Sequence, residues 1–192
     1  MEQVRSFIAI ELPDEVKLGL VKLQAQLKLG KQPAVKWVDP NSIHLTLKFL
    51  GNVPVDKIGD ITGVIEKAAQ EISPFHLEVK DLGVFPNLRR VQVVWVGISG
   101  QVDRLCQLQQ RIESNLAPLG FAPESRPFTP HLTLARVRDR ASLDERQRFG
   151  QLIANTKFET AFTLEVEAIS LMRSQLTREG AIYSRISSVK LK

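Results

Sequence analysis

Two of the chain's three histidines open the same tetrapeptide: His44 starts "HLTLKFLG" and His131 starts "HLTLAR". Imidazole is the side chain whose ordinary pKa, about 6.5, lets it take or give a proton near neutral pH. Two imidazoles at one site can divide the work, one neutral as base and one protonated as acid. The threonines two residues on, Thr46 and Thr133, carry hydroxyls that can donate to a phosphoryl oxygen. This set fits displacement at phosphorus, with one histidine activating water and the other protonating the departing oxygen. Each such proton transfer is typically worth about 100- to 10,000-fold in rate. A metal centre fits less well. Zinc sites usually take three or four His, Cys or carboxylate ligands, whereas the neighbour two residues on is threonine and the one cysteine, Cys106, falls in an expected helix. No metal is expected.

The two copies belong to a longer echo. Positions 44 and 131 share a spacing of 87 residues with positions 75 and 162, where "FHLEVKDLGVF" and "FTLEVEAISLM" agree at Phe-x-Leu-Glu-Val. Pro40 and Ser42 fall opposite Pro127 and Thr129, and Leu18 and Val21 opposite Leu105 and Leu108. We expect two lobes of about 87 residues of common ancestry, related by an approximate two-fold. His76 is matched by Thr163, so a symmetric site does not use it, and it is expected at the surface or an edge.

The elements that must hold these residues can be placed coarsely. Strands are expected at Val4–Leu12, Ser42–Leu50, Phe75–Phe85, Val91–Ile98, Phe128–Arg136, Phe158–Met172 and Ala181–Val189, from runs of β-branched and aromatic residues. Helices are expected at Asp14–Leu29, Val55–Ile72, near Gln101–Leu116 and from Ser142 to Ala154. Side chains alternate along a strand. His44, Thr46 and Lys48 then share one face, with Leu45, Leu47 and Phe49 on the other; His131 and Thr133 likewise oppose Leu132 and Leu134. The leucines bury each strand and leave the His-Thr pairs pointing from the free face. Lys48 has the parity for that groove or its solvent rim. Phe49 is read first as core, with a nucleobase platform as the alternative.

At 192 residues the chain suits one domain, or two small lobes sharing a core. No apolar run approaches the roughly 18 residues of a membrane span. The start, "MEQVRSFIAIELP", has no basic region or small-residue cleavage site, so no secretory signal is expected. A single cysteine fits a reducing cytoplasm. The net charge of +5 permits a polyanionic partner such as RNA without requiring one. Membrane attachment and an obligate protein partner are not expected.

With these motifs in view, the chain resembles the two-histidine (2H) phosphoesterase superfamily. Within it, the resemblance is closest to the RNA 2′,3′-cyclic phosphodiesterases, historically called 2′-5′ RNA ligases. It is carried by "RSFIAIELP", "WVDPNSIHLTLKFLGNV", "RPFTPHLTLARV" and "ISLMRSQLTREGAIYSRI", which span nearly the whole chain. The resemblance implies an α+β fold in one bilobal domain over residues 1–192. Each lobe would be a concave antiparallel sheet with helices on its outer face, and the motifs would line a cleft between lobes. It implies hydrolysis of RNA 2′,3′-cyclic phosphate ends, tRNA fragments among them, to 2′-phosphomonoesters without metal or cofactor. It makes His44 the proton donor, His131 the proton acceptor, and Thr46, Thr133 and Arg136 the phosphate holders. Symmetry alone does not distinguish donor from acceptor. Arg136, five residues after His131, falls by strict alternation on the leucine face, where an unpaired arginine is rarely buried. A bulge or the strand's end would have to turn it to the cleft; otherwise it is a rim arginine.

Three other functions stay open. An ATP-dependent ligase would need a Lys-x-Asp-Gly nucleophile or a phosphate-binding glycine loop, and neither is present; cofactor-free ligation as the reverse reaction is compatible. A non-catalytic RNA-end-binding domain predicts binding without turnover. A phosphodiesterase for a small cyclic nucleotide would present the same site.

Overall fold

The computed structural model describes residues 2–32, 34–159 and 161–192. Nine strands and four helices follow one another among these residues: β1 Gln3–Glu11, α1 Asp14–Lys28, β2 Val35–Trp37, β3 His44–Pro54, α2 Ile58–Ala69, β4 Phe75–Phe85, β5 Val93–Gly100, α3 Val102–Leu116, β6 His131–Val137, α4 Leu143–Asn155, β7 Phe162–Val166, β8 Ala168–Leu176 and β9 Ala181–Lys190. The strands form two antiparallel sheets. One is ordered β3-β1-β8-β9 and the other β2-β6-β5-β4-β7.

Local chemistry accounts for the element ends. In α1, Asp14 and Glu15 occupy the first turn and Lys28 the last, matching the helix dipole. Val16, Leu20, Leu23 and Leu27 recur on one buried stripe. α4 starts in a reciprocal capping box: the Glu145 backbone N–H donates to the Ser142 hydroxyl, and the Ser142 N–H donates to the Glu145 carboxylate. The turn after α3 closes at Gly120, whose φ of 90° suits glycine.

The expected α+β architecture of two antiparallel sheets covered by helices holds, but its lobes are not the 87-residue repeats. The sheets are not the two halves of the sequence. The four-stranded sheet joins β1 and β3 from the first half to β8 and β9 from the second. The stretch expected as one strand, Phe158–Met172, divides at Glu167. β7 pairs with β4 in the five-stranded sheet, and β8 pairs with β1 in the other. Thr160, inside that expected strand, lies outside the described residues. The apolar alternation slips phase there, from Leu164 and Val166 to Ile169 and Leu171, so each segment turns its apolar face to a different sheet.

The helices are exchanged too. α2 and α3 cover the four-stranded sheet through β3, β8 and β9, while α1 and α4 cover the five-stranded one through β7 and β4. Gly19 of α1 has a ring seated on it: a Cβ there would meet Phe162 of β7 at 2.1 Å. One hydrophobic core runs through both sheets and all four helices. The helix expected at Val55–Ile72 begins as a 3-10 turn, Val55–Lys57, before α2. β2 was not expected; three residues carry too little periodicity to mark a strand. Among the described residues no helix is long and apolar enough to cross a membrane.

Candidate active site

His44 and His131 are the first residues of β3 and β6, and these strands, one from each sheet, lie against each other. Leu45, Leu47, Leu132 and Leu134 are buried in the shared core. Each histidine and the threonine two residues on therefore turn to the opposite face, which is half-buried at all four positions.

The two imidazoles are held alike. The Nδ1 of His44 lies 3.0 Å from the Ser42 carbonyl oxygen, and that of His131 lies 2.7 Å from the Thr129 carbonyl oxygen. A carbonyl only accepts, so each Nδ1 carries the proton and donates it. Nε2 is then the nitrogen left to exchange a proton with a substrate. Aromatic rings brace both imidazoles edge-on. Phe7 and Tyr183 stand 5.9 and 5.6 Å from His44, and Phe85 stands 5.0 Å from His131, between centroids.

Beyond each threonine, a bulge sets the side-chain directions. β3 inserts Leu47 between the register pairs Ala9–Thr46 and Ile8–Lys48. β6 inserts Leu134 between Trp95–Thr133 and Val94–Ala135. Each extra residue reverses the alternation. Arg136 is thereby returned to the His-Thr face and exposed, which resolves its parity. In β3 the same slip overturns two expectations. Lys48 is not in the groove. It is 7% exposed, and its Nζ donates to Glu113 Oε2 at 2.8 Å and to the Ala122 carbonyl at 2.7 Å behind the sheet. Phe49 is not core: it is 72% exposed and stands 6.1 Å from Phe7 on the His44 side. His76 is exposed in β4, as expected.

The sequence did not single out Glu11. It is the register partner of His44, while the residue opposite His131 is Gly97. The Ser170 hydroxyl donates to Glu11 Oε2 at 2.6 Å and Arg185 Nε donates at 2.7 Å. Burial alone would push this carboxyl up, but those hydrogen bonds and the positive charge of Arg185 and His44 outweigh it and hold it below its ordinary range. Burial holds the His44 imidazole below its ordinary value, against the Ser42 carbonyl and the Glu11 charge, which favour its protonated form; Lys17 adds to the lowering. An acid at the end of a β-rich segment is not in itself a signal. The pairing with His44 exists only once β1 and β3 are in register.

Two cavities, of about 280 and 310 Å³, lie away from the histidines. Lys31, Val137, Arg148 and Phe149 line the first, and Arg5, Asn52 and Arg173 the second. Neither is lined by His44 or His131, so neither is the candidate site. Among the described residues, no three His, Cys, Asp or Glu side chains gather as a metal cluster.

A family profile for the 2′-5′ RNA ligase superfamily matches residues 13–178. The chain is 32% identical over 189 residues to the RNA 2′,3′-cyclic phosphodiesterase of Methanothermobacter thermautotrophicus, covering 98% of this chain and all of that one. It is 30% identical over 194 residues to the enzyme of that name from Aquifex aeolicus, covering 100% of this chain and 99% of the other. Its fold is similar to that of LigT of E. coli crystallised with 3′-AMP, with a TM-score of 0.80, 26% identity, and coverage of 100% and 99% of the two chains.

Proposed function

The chain belongs to the 2′-5′ RNA ligase superfamily, and from that premise we propose that it hydrolyses 2′,3′-cyclic phosphate ends of RNA to 2′-phosphomonoesters in the cytoplasm. The observation that carries this reading is the matched pair of imidazoles, each pinned through Nδ1 by the carbonyl two residues before it. Pinning fixes ring orientation and presents Nε2 from both strands. In the forward step, water attacks phosphorus and His131 Nε2 takes its proton. The P–O3′ bond breaks, and His44 gives its proton to the departing O3′. The products are a 2′-phosphomonoester and a free 3′ hydroxyl. Thr46, Thr133 and Arg136 hold the non-bridging oxygens, where charge concentrates. Phe49 offers an exposed ring to the terminal base.

The roles of the two histidines follow the family resemblance, and the electrostatics set a condition on them. Burial disfavours the charged form of His44 in the free protein. The phosphate's negative charge, added to that of Glu11, is what makes His44 an acid when substrate is bound. The mechanism uses no metal. The test is to treat the purified protein with EDTA, supply an oligoribonucleotide ending in a 2′,3′-cyclic phosphate, and identify the product. Full activity with a 2′-phosphate product is expected. Loss of activity restored by zinc or manganese would contradict the mechanism, and binding without turnover would make the domain a reader of RNA ends.

A further inference from the structure

On the five-stranded sheet, register places side chains in rows across the cleft face. Gly97 pairs with His131. The next row runs Gly83, Trp95, Thr133, and the one beyond it Phe85, Val93, Arg136, Lys36. Trp95 lies flat over Gly83: a Cβ at Gly83 would fall 2.2 Å from its ring atoms. Phe85 stands 5.3 Å from Trp95 at a 40° tilt, and its edge reaches His131. The glycines make room for the indole, which fills the space a side chain would take at Gly83 and passes 3.5 Å from where a Cβ would stand at Gly97, so the ring itself forms this wall beside Thr133. Arg136 and Lys36 are exposed neighbours in the outer row, and Gly180, in the β8–β9 turn, approaches Lys36 Nζ. Flat aromatic surface beside two cations is the chemistry that holds a nucleobase and its phosphodiester.

We propose that Trp95, Phe85 and Lys36 form a second nucleotide subsite, which takes the base and phosphate immediately upstream of the cyclic-phosphate nucleotide. The proposal rests on the phosphodiesterase reading above and deepens it. The terminal base lies against Phe49 on one sheet, the next base lies against Trp95 on the other, and the cyclic phosphate sits between them. The substrate class is then an RNA end of at least two nucleotides rather than a mononucleotide. Among the described residues the Trp95 indole N–H is buried with no hydrogen-bond partner, so its replacement by phenylalanine removes an unsatisfied donor while keeping a flat ring.

The experiment compares adenosine 2′,3′-cyclic phosphate with the dinucleotide ApA ending in a 2′,3′-cyclic phosphate. Calorimetric Kd values for adenosine 3′-phosphate and for ApA 3′-phosphate run in parallel. The wild type is expected to favour the dinucleotide by roughly tenfold in kcat/KM and in Kd, the scale of one stacked base. Trp95→Leu should abolish most of that advantage and leave the mononucleotide unchanged, while Trp95→Phe should retain it. Lys36→Ala, at an exposed position where folding is not at risk, should weaken the dinucleotide alone and flatten its salt dependence. Equal affinity of the wild type for both lengths, or equal losses on both in Trp95→Leu and Lys36→Ala, would overturn the subsite. If the wild type cleaves neither substrate, the phosphodiesterase reading fails, and the Kd values alone decide the subsite.

Discussion

His44 and His131 keep the same hydrogen bond at Nδ1 but face different strands, with Glu11 across from one and Gly97 across from the other. The Glu11 carboxylate favours the protonated form of His44. Glu11→Gln removes that influence, so the His44 pKa should fall further. If His44 is the donor, activity is lost as pH rises through its pKa, and the alkaline limb of kcat/KM should move toward acid in the variant. Movement toward alkali would contradict the account. Glu11 has a stability signature as well. Its folded pKa lies below the ordinary carboxylate range, so its contribution is present above the unfolded value, about 4.3, and is lost as pH falls through the folded value. Acid unfolding of Glu11→Gln should show less of that dependence. At the histidines themselves, His44→Ala and His131→Ala should each lower kcat by about 100- to 10,000-fold with the fold intact by circular dichroism. His76→Ala should be silent. On the proposed mechanism the double variant should lose less than the product of the single losses, as residues acting as one unit do. The histidines and threonines were legible because chemistry restricts those residue types and the repeat shows them twice. Glu11 was not, because its significance depends on a cross-strand register.

The strands β3 and β6 show how far alternation carries and where it stops. Through Thr46 and Thr133 it places every side chain correctly. One inserted leucine then reverses it in both strands, and nothing in "HLTLKFL" marks the insertion. Phe49 has a core residue's chemistry, and Lys48 finds its partner 65 positions later at Glu113. Lys48→Ala should leave the half-buried Glu113 without its cation, held only by the Gln109 amide, and cost about 1–3 kcal/mol, read by chemical denaturation, with kcat/KM of the folded protein unchanged. Replacing both partners by apolar residues, Lys48→Met with Glu113→Leu, should recover most of that loss. Phe49→Ala should do the reverse, raising KM for cyclic-phosphate RNA with stability nearly unchanged. If Lys48→Ala raised KM without destabilising, the bulge assignment would be wrong. The slip between Val166 and Ile169 is a contrasting case, because there the reversal is written in the apolar pattern itself.

At the scale of the molecule, the 87-residue echo reports which segments correspond, not which ones pair. Pairing is set by the edges left open in three dimensions, and β8 completes a sheet begun by β1 while β4 completes one centred on β5. Because each sheet and its helices draw on both halves around one core, heat or urea should unfold the protein in a single transition. Residues 1–92 alone, which lack all five strands from β5 to β9, should fail to fold; two resolved transitions or a folded fragment would contradict this. The same interlocking sets β3 and β6, which carry the two His-Thr pairs, against each other, and that pairing is the centre of the account. Its most direct test is the pH dependence of single-turnover cleavage of a 2′,3′-cyclic phosphate end, measured for the wild type, His44→Ala and His131→Ala. The wild type should give a bell whose limbs belong to the coupled pair. His131→Ala should lose the acidic limb from its residual rate, and His44→Ala the alkaline limb. A profile flat from about pH 5 to 9, or either variant keeping both limbs, would contradict paired histidine acid–base catalysis.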